Sequence, residues 1–260
     1  MRSRRLGLLL VAAVLLPWQE LKDFVGLQHR ARQSGIPRNA GLTLRYFDAR
    51  GAAETVRLLF AAAGKEYKDL RYPISFGTPG DFSTIIRKEF EEDRDAGKMD
   101  ISMGKVPVLD VDGFSLPQSK AIERYLAREL GMMGSTPMEE ALVDAMAEHV
   151  RDINDAYSRK GLFFMKDQEK KAELQKKWYE EELPLLLSKL ETALPGSDGF
   201  AVGEKVSLAD IAIFKLLKDT YDADVSAAYG ECPKLKAIVS KVEKNKGIQT
   251  WLSERPETMI

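Results

Sequence analysis

The chain has 260 residues, and its 39 lysines and arginines nearly balance 40 aspartates and glutamates for a net charge of −1. Acids and bases are interspersed, so no strongly basic field argues for nucleic acid as a partner. The single cysteine, Cys232, excludes an intrachain disulfide framework, a thiolate metal site and a CxxC redox pair. Any thiol chemistry would need a thiol brought by a ligand. The two histidines are His29 and His149, which exclude a histidine-based metal cluster and a Ser-His-Asp arrangement.

Residues 1–40 read as a leader. Arg2, Arg4 and Arg5 precede an apolar run from Leu6 to Leu16. That order suits a signal sequence, a signal anchor or an organelle-targeting segment, and the run is short for a membrane span. Membrane contact is expected only through this segment. The alternative is an upstream extension on a cytoplasmic protein. Either way the fold is expected to start after it.

Leu42 to Phe47 alternates and predicts a strand. Ala49 to Ala63 carries apolar residues at helical spacing, and Gly64 is placed to cap that helix. Tyr67 to Ile74 alternates again, which completes a βαβ unit. From Ser75 to Gly104 the pattern predicts a loop, a short helix and a loop. Val106 to Asp110 and Phe114 to Leu116 predict two strands joined by a tight turn at Asp112-Gly113. A helix from Ser119 to about Leu130 closes a first domain over 41–130. Residues 131–137 are rich in small residues and read as a linker. Beyond them, 138–260 shows helical patterns only, with long helices predicted over Met138 to Arg159 and Glu169 to Leu194. The fold class is therefore α/β followed by all-α.

Four motifs stand out. Tyr46 ends the first strand, where its hydroxyl would face the mouth of the domain; packing is the ordinary alternative. A cis Val106-Pro107 bond would turn the Val106 backbone outward, ready to pair with an extended peptide. Gln118-Ser119 opens a helix, where free N–H groups suit a carboxylate, although Ser119 also suits a plain cap. Ser207 and Asp210 form a capping box, with Val206 and Ile211 placed as its hydrophobic staple; this is a folding signal. Glu148, Arg151, Asp152 and Asp155 share a charged helix face, either solvated or lining a subunit interface.

In this order the motifs resemble the cytosolic glutathione S-transferases, and most closely their sigma-like class, which includes haematopoietic prostaglandin D synthase and the S-crystallins. The matching stretches are Leu44-Arg-Tyr-Phe with Arg50-Gly and Ala53-Glu54; Gly104 to Gly113; Gln118-Ser119 with Ala121-Ile122 and Arg124-Tyr-Leu126; Met138-Glu139 with Val143-Asp-Ala145; Ser207-Leu-Ala-Asp210; and Trp251 with Arg255-Pro256 and Thr258. The resemblance implies a thioredoxin-like domain that binds glutathione as co-substrate, then a helical domain.

It implies that Tyr46 is catalytic, donating to the glutathione sulfur and favouring the thiolate. Val106 with Pro107 would hold the cysteinyl part, Gln118 and Ser119 the γ-glutamyl carboxylate, and Lys105 and Lys98 the glycine end. Phe90 would stand where the family usually has a tryptophan. Asp152 of the partner in a homodimer would meet the γ-glutamyl ammonium. Phe47, Tyr157, Leu162 and Phe163 would line the second-substrate pocket.

There are departures. Ala52 stands where sigma enzymes often carry arginine. Arg151 replaces one carboxylate of an interfacial acidic cluster, so no metal is expected. Arg159 stands where the prostaglandin pocket has an aromatic residue. The implied activity is conjugation of glutathione to electrophiles, with hydroperoxide reduction as an addition. The alternatives are a non-enzymatic S-crystallin-like protein or a prostaglandin isomerase.

Overall fold

The computed structural model describes residues 41–78, 81–221 and 223–258. The expected leader lies outside the described residues. Among those residues no helix is long and apolar enough to cross a membrane.

Strand β1 (Leu42–Phe47) pairs in parallel with β2 (Lys68–Tyr72), and helix α1 (Glu54–Ala63) makes the crossover between them. Gly64 ends α1 at φ +60°, and the Lys65 N–H reaches back to the Phe60 carbonyl at 3.0 Å. A residue with a Cβ is disfavoured in that conformation, so glycine terminates the helix where the spacing predicted. Strands β3 (Ser75–Phe76) and β4 (Ile85–Ile86) form a separate two-residue ladder ahead of helix α2 (Lys88–Asp95). The sequence pattern predicted only loop there, because two residues are too few to show alternation.

Strands β5 (Val108–Val111) and β6 (Phe114–Pro117) form the hairpin. Asp112 and Gly113 both adopt positive φ, as a two-residue turn matched to the strand twist requires. The sheet order is β2-β1-β5-β6, with β5 antiparallel to both neighbours. Helix α3 (Ser119–Glu129) follows.

The rest is helical. Thr136 caps α4 (Pro137–Ser158) by accepting from the Glu139 N–H at 3.2 Å. The single helix predicted from Glu169 to Leu194 is instead α5 (Gln168–Lys177), a π turn over Trp178–Glu182 and α6 (Leu183–Ala193). Pro184 explains the interruption. It has no N–H to donate and its ring crowds the carbonyl four residues back, and a widened turn relieves both.

Helix α7 (Leu208–Asp219) starts at the expected capping box. The buried Asp210 carboxylate accepts from the Ser207 N–H at 2.8 Å and from the Ala201 N–H at 2.7 Å. Helices α8 (Pro233–Glu243) and α9 (Lys246–Glu254) complete the chain.

One apolar core runs from Leu44 on the sheet through Phe60 of α1 to Phe214 of α7 and Ile248 of α9. Helix α1 lies at its centre, and its first seven residues are buried, Glu54 and Arg57 among them. An all-round buried helix normally carries no charge. Here the charges are matched. Glu54 accepts from Trp251 Nε1 at 2.8 Å and from Arg255 at 2.9 Å, with Arg57 at 3.4 Å. Arg57 also binds the Ala49 carbonyl at 2.6 Å and Asp69 at 3.1 Å. Arg255 continues to Asp219 at 2.6 Å, and Asp219 takes Arg50 at 3.1 Å.

The C-terminal segment closes on α1 in a second way. Asn245 caps α9 and donates to the Ala62 carbonyl at 3.1 Å. A Cβ on Gly247 would lie 1.9 Å from the Ala61 carbonyl oxygen, so only glycine permits this approach.

Replacing Glu54 with glutamine removes the carboxylate shared by Arg57, Arg255 and Trp251 in a dry interface and leaves Arg57 with Asp69 and Arg255 with Asp219. We expect a loss of about 1.5–3 kcal/mol, read as a lower urea midpoint. Trp251 fluorescence should report the loosening of the C-terminal segment.

Candidate active site

Strand register brings three of the sequence-predicted motifs to one edge of the sheet. Arg45 pairs with Val108, and Val108 pairs with Pro117. The next residues outward are Tyr46, Pro107 and Gln118, from three adjacent strands. The Val106-Pro107 bond is cis, and the β5 ladder begins one residue after it. Gln118 holds φ +75°, unusual for a residue with a side chain, and leads directly into Ser119 at the start of α3. No side chain caps α3 there. Its first N–H groups and positive end are therefore available to a carboxylate.

Tyr46 is placed by the turn after β1. Its hydroxyl accepts from the Ala52 N–H at 3.1 Å. The hydroxyl proton is thus left to donate elsewhere, which suits a thiolate acceptor. Gly51 makes this approach possible. It holds φ +41°, and a Cβ there would stand 2.6 Å from the Tyr46 hydroxyl oxygen. The Arg57 guanidinium lies over the Tyr46 ring, 5.8 Å from its centre.

Beside Gly51 opens a cavity of about 390 Å³. Tyr157, Leu162, Phe163 and Phe164 give it an apolar side, while Arg50, Lys171, Lys215 and Asp219 give it a charged one. Tyr157, Leu162 and Phe163 thus stand together in the wall as expected positions. Tyr157 also packs on Trp178, Tyr179 and Tyr221, and its hydroxyl lies 3.3 Å from that of Tyr179.

Two expected ligand contacts need correction. Phe47 packs between two rings, its centre 5.6 Å from that of Tyr46 and 5.0 Å from that of Phe90, and it does not line the cavity. Phe90 is 3% exposed in a small core with Tyr72, Met99 and Val108. It supports the sheet from below and presents no face to a ligand. The predicted tryptophan-like role requires an exposed edge, which that burial removes.

The lysines are exposed. Lys98 Nζ pairs with Asp93 at 2.6 Å, and its carbonyl accepts from Arg45 at 3.0 Å. Lys98, and then the Tyr72 hydroxyl, hold the Asp93 carboxyl below its usual range. Burial, then the bond to Asp93, pushes Tyr72 up to about 12. Lys105 is exposed on the loop before the cis bond. Asp152 is exposed on α4 between the buried Val150 and Ile153, and makes no ion pair among the described residues.

Its neighbours differ. Arg124 binds Asp144 at 2.6 Å and also Glu148, which Arg151 pairs as well. These carboxylates are neutralised by arginines, and among the described residues no three metal-binding side chains converge.

Sequence reasoning missed Arg50, Lys171, Lys215, Asp219 and Phe164 as cavity residues. Arg50-Gly51 was visible as part of a motif, but its partner Asp219 is 169 residues away.

Comparison with known proteins identifies the class. Residues 42–128 match the glutathione S-transferase N-terminal domain and residues 152–255 the C-terminal domain. The chain is 36% identical over 225 residues to hematopoietic prostaglandin D synthase of Gallus gallus, covering 84% of this chain and 98% of that one. It is 32% identical over 229 residues to S-crystallin 4 of Enteroctopus dofleini, covering 83% and 97%. Among solved structures, the monomeric glutathione S-transferase Na-GST-3 of Necator americanus superposes with a TM-score of 0.66 at 29% identity, covering 85% of this chain and 100% of that chain. The chain belongs to the glutathione S-transferase family, and it is a transferase enzyme.

Gly51→Ala should displace the Tyr46 hydroxyl and strain the turn. We expect turnover to fall by about tenfold to a hundredfold, with a stability loss of about 1–2 kcal/mol. Steady-state kinetics beside thermal melts checks both.

Proposed function

We propose that Tyr46 activates the thiol of glutathione for attack on an electrophilic small molecule bound in the adjoining cavity. One observation carries this reading: the Tyr46 hydroxyl accepts from the Ala52 N–H at the cavity edge, which commits its own proton to an outward acceptor. A thiolate hydrogen-bonded in this way is favoured over the thiol, and the thiolate is the nucleophile.

The γ-glutamyl carboxylate would take the α3 start at Gln118-Ser119, and the cysteinyl backbone would pair beside Val106. Lys105 and Lys98 are within the exposed loops that would serve the glycine end. The same activated thiolate can attack an organic hydroperoxide, so peroxide reduction belongs to the same reading. A detoxifying role and a place in the sigma-like class follow from this reading and from the relatives named above.

We also propose a homodimer in which Asp152 reaches the partner's cleft. Its exposure and lack of an ion pair support this, and the ammonium of glutathione needs an anion there. The relative from Gallus gallus favours a second reading, prostaglandin isomerisation. Arg159, exposed at the end of α4, speaks against it. Efficient turnover of the endoperoxide substrate would reverse that preference.

Tyr46→Phe should lower conjugation of a model electrophile by about tenfold to a thousandfold, with glutathione affinity retained. Unchanged turnover would remove Tyr46 from the chemistry. Sedimentation equilibrium is expected to show a dimer at micromolar concentration. Asp152→Ala should weaken glutathione binding by about tenfold; a monomer that binds glutathione normally contradicts the shared site.

A further inference from the structure

We propose that the cavity beside Tyr46 selects electrophiles that carry an anionic group on an apolar body, and that Lys215 takes the anion. The inference rests on the transferase reading for the identity of the cavity's occupant.

The charges around the cavity do not balance. Among the described residues its wall holds three cations, Arg50, Lys171 and Lys215, and one carboxylate, Asp219. Asp219 is already shared, because its Oδ1 accepts from Arg50 at 3.1 Å and from Arg255 at 2.6 Å. The other carboxylates near Lys215 are Glu54 and Glu123. Glu54 serves Arg255 and Arg57, and Glu123 is held by Lys120 at 2.9 Å.

Lys215 is left over. Among the described residues its ammonium makes neither an ion pair nor a hydrogen bond. Asp219 Oδ2 lies one helical turn further on, and it too has no hydrogen-bond partner. Burial pulls the Lys215 amine below its ordinary range, although Asp219 opposes the shift. A cation drawn out of water without a partner favours any anion that can reach it.

The apolar lining defines the rest of the ligand. Phe163 and Phe164 stand edge to face at 5.1 Å, and both are largely exposed, at 49% and 70%. With Leu162 and Tyr157 they offer an apolar surface to a ring or chain. An amphipathic acid would therefore lay its apolar part on this wall with its charge toward Lys215. Lys171 stands in the same wall, also without an ion pair among the described residues, and would add a more solvated attraction.

Calorimetric titration of the full chain with 1-naphthaleneacetate and with its neutral amide tests this, with glutathione absent from the cell. These ligands are nearly isosteric and do not react with the protein. We expect the acid to bind about tenfold more tightly than the amide at neutral pH. Lys215→Met should bring the ratio close to one, Lys215→Arg should keep most of it, and Lys171→Met should reduce it by about twofold to threefold.

Equal affinities in the unaltered protein would overturn the proposal without any variant. So would an undiminished ratio in Lys215→Met. No turnover enters the measurement. A charge preference with no conjugating activity would sink the transferase reading and leave standing only the part that assigns an amphipathic anion to Lys215. Conjugation with no charge preference would do the reverse.

Discussion

The buried bridge from Glu54 through Arg255 to Asp219 holds the turn after β1 in place. Glu54 opens α1, Asp219 ends α7, and Arg255 binds both. Arg50 lies in the turn between β1 and α1, and it too is held by Asp219. That turn carries Gly51 and the Ala52 N–H that fixes the Tyr46 hydroxyl. The helical half of the molecule thus sets the position of a side chain that belongs to the sheet half.

Charge is a costly way to build such a joint. Replacing buried ion pairs with apolar residues is often neutral or stabilising, while removing one partner is severe. The Glu54 network meets the condition under which burial is tolerable, because its oxygens are matched by Trp251, Arg255 and Arg57. What it supplies beyond stability is direction. Apolar packing between α1 and α7 would tolerate sliding, whereas guanidinium–carboxylate geometry does not. Arg50 and Arg255 share Asp219 Oδ1, and among the described residues Lys215 makes no ion pair, so the joint and the adjoining cavity share one carboxylate.

Local signals were legible in the sequence and distant ones were not. Gly64 at the end of α1, the Asp112-Gly113 turn and the Ser207–Asp210 box each lie within a few residues of what they determine, and the structure has all three. The π turn was announced by Pro184, but the apolar spacing on both sides of it resembles one helix, which hid the break. Phe47 and Phe90 were assigned by their place in a motif. Phe47 is wedged between the rings of Tyr46 and Phe90, and the core with Met99 and Val108 encloses Phe90. The cavity residues Lys215 and Asp219 carry no local signal, since they read as ordinary polar positions on α7. Their meaning depends on Arg50, Arg255 and Glu54, which only the folded chain brings near.

The relatives include proteins named as transferases, a prostaglandin D synthase and an S-crystallin, so the fold is shared by proteins of different names. The claim that the Tyr46 hydroxyl, held by the Ala52 N–H, stabilises the thiolate can be measured without choosing an electrophile. Ultraviolet titration of the thiolate of bound glutathione against pH reads it directly. The thiol pKa is expected at least about one unit below that of free glutathione, equivalent to about 1.4 kcal/mol of preference for the anion. Tyr46→Phe is expected to abolish the shift while glutathione stays bound. A bound thiol that titrates as it does in solution would remove Tyr46 from thiolate stabilisation.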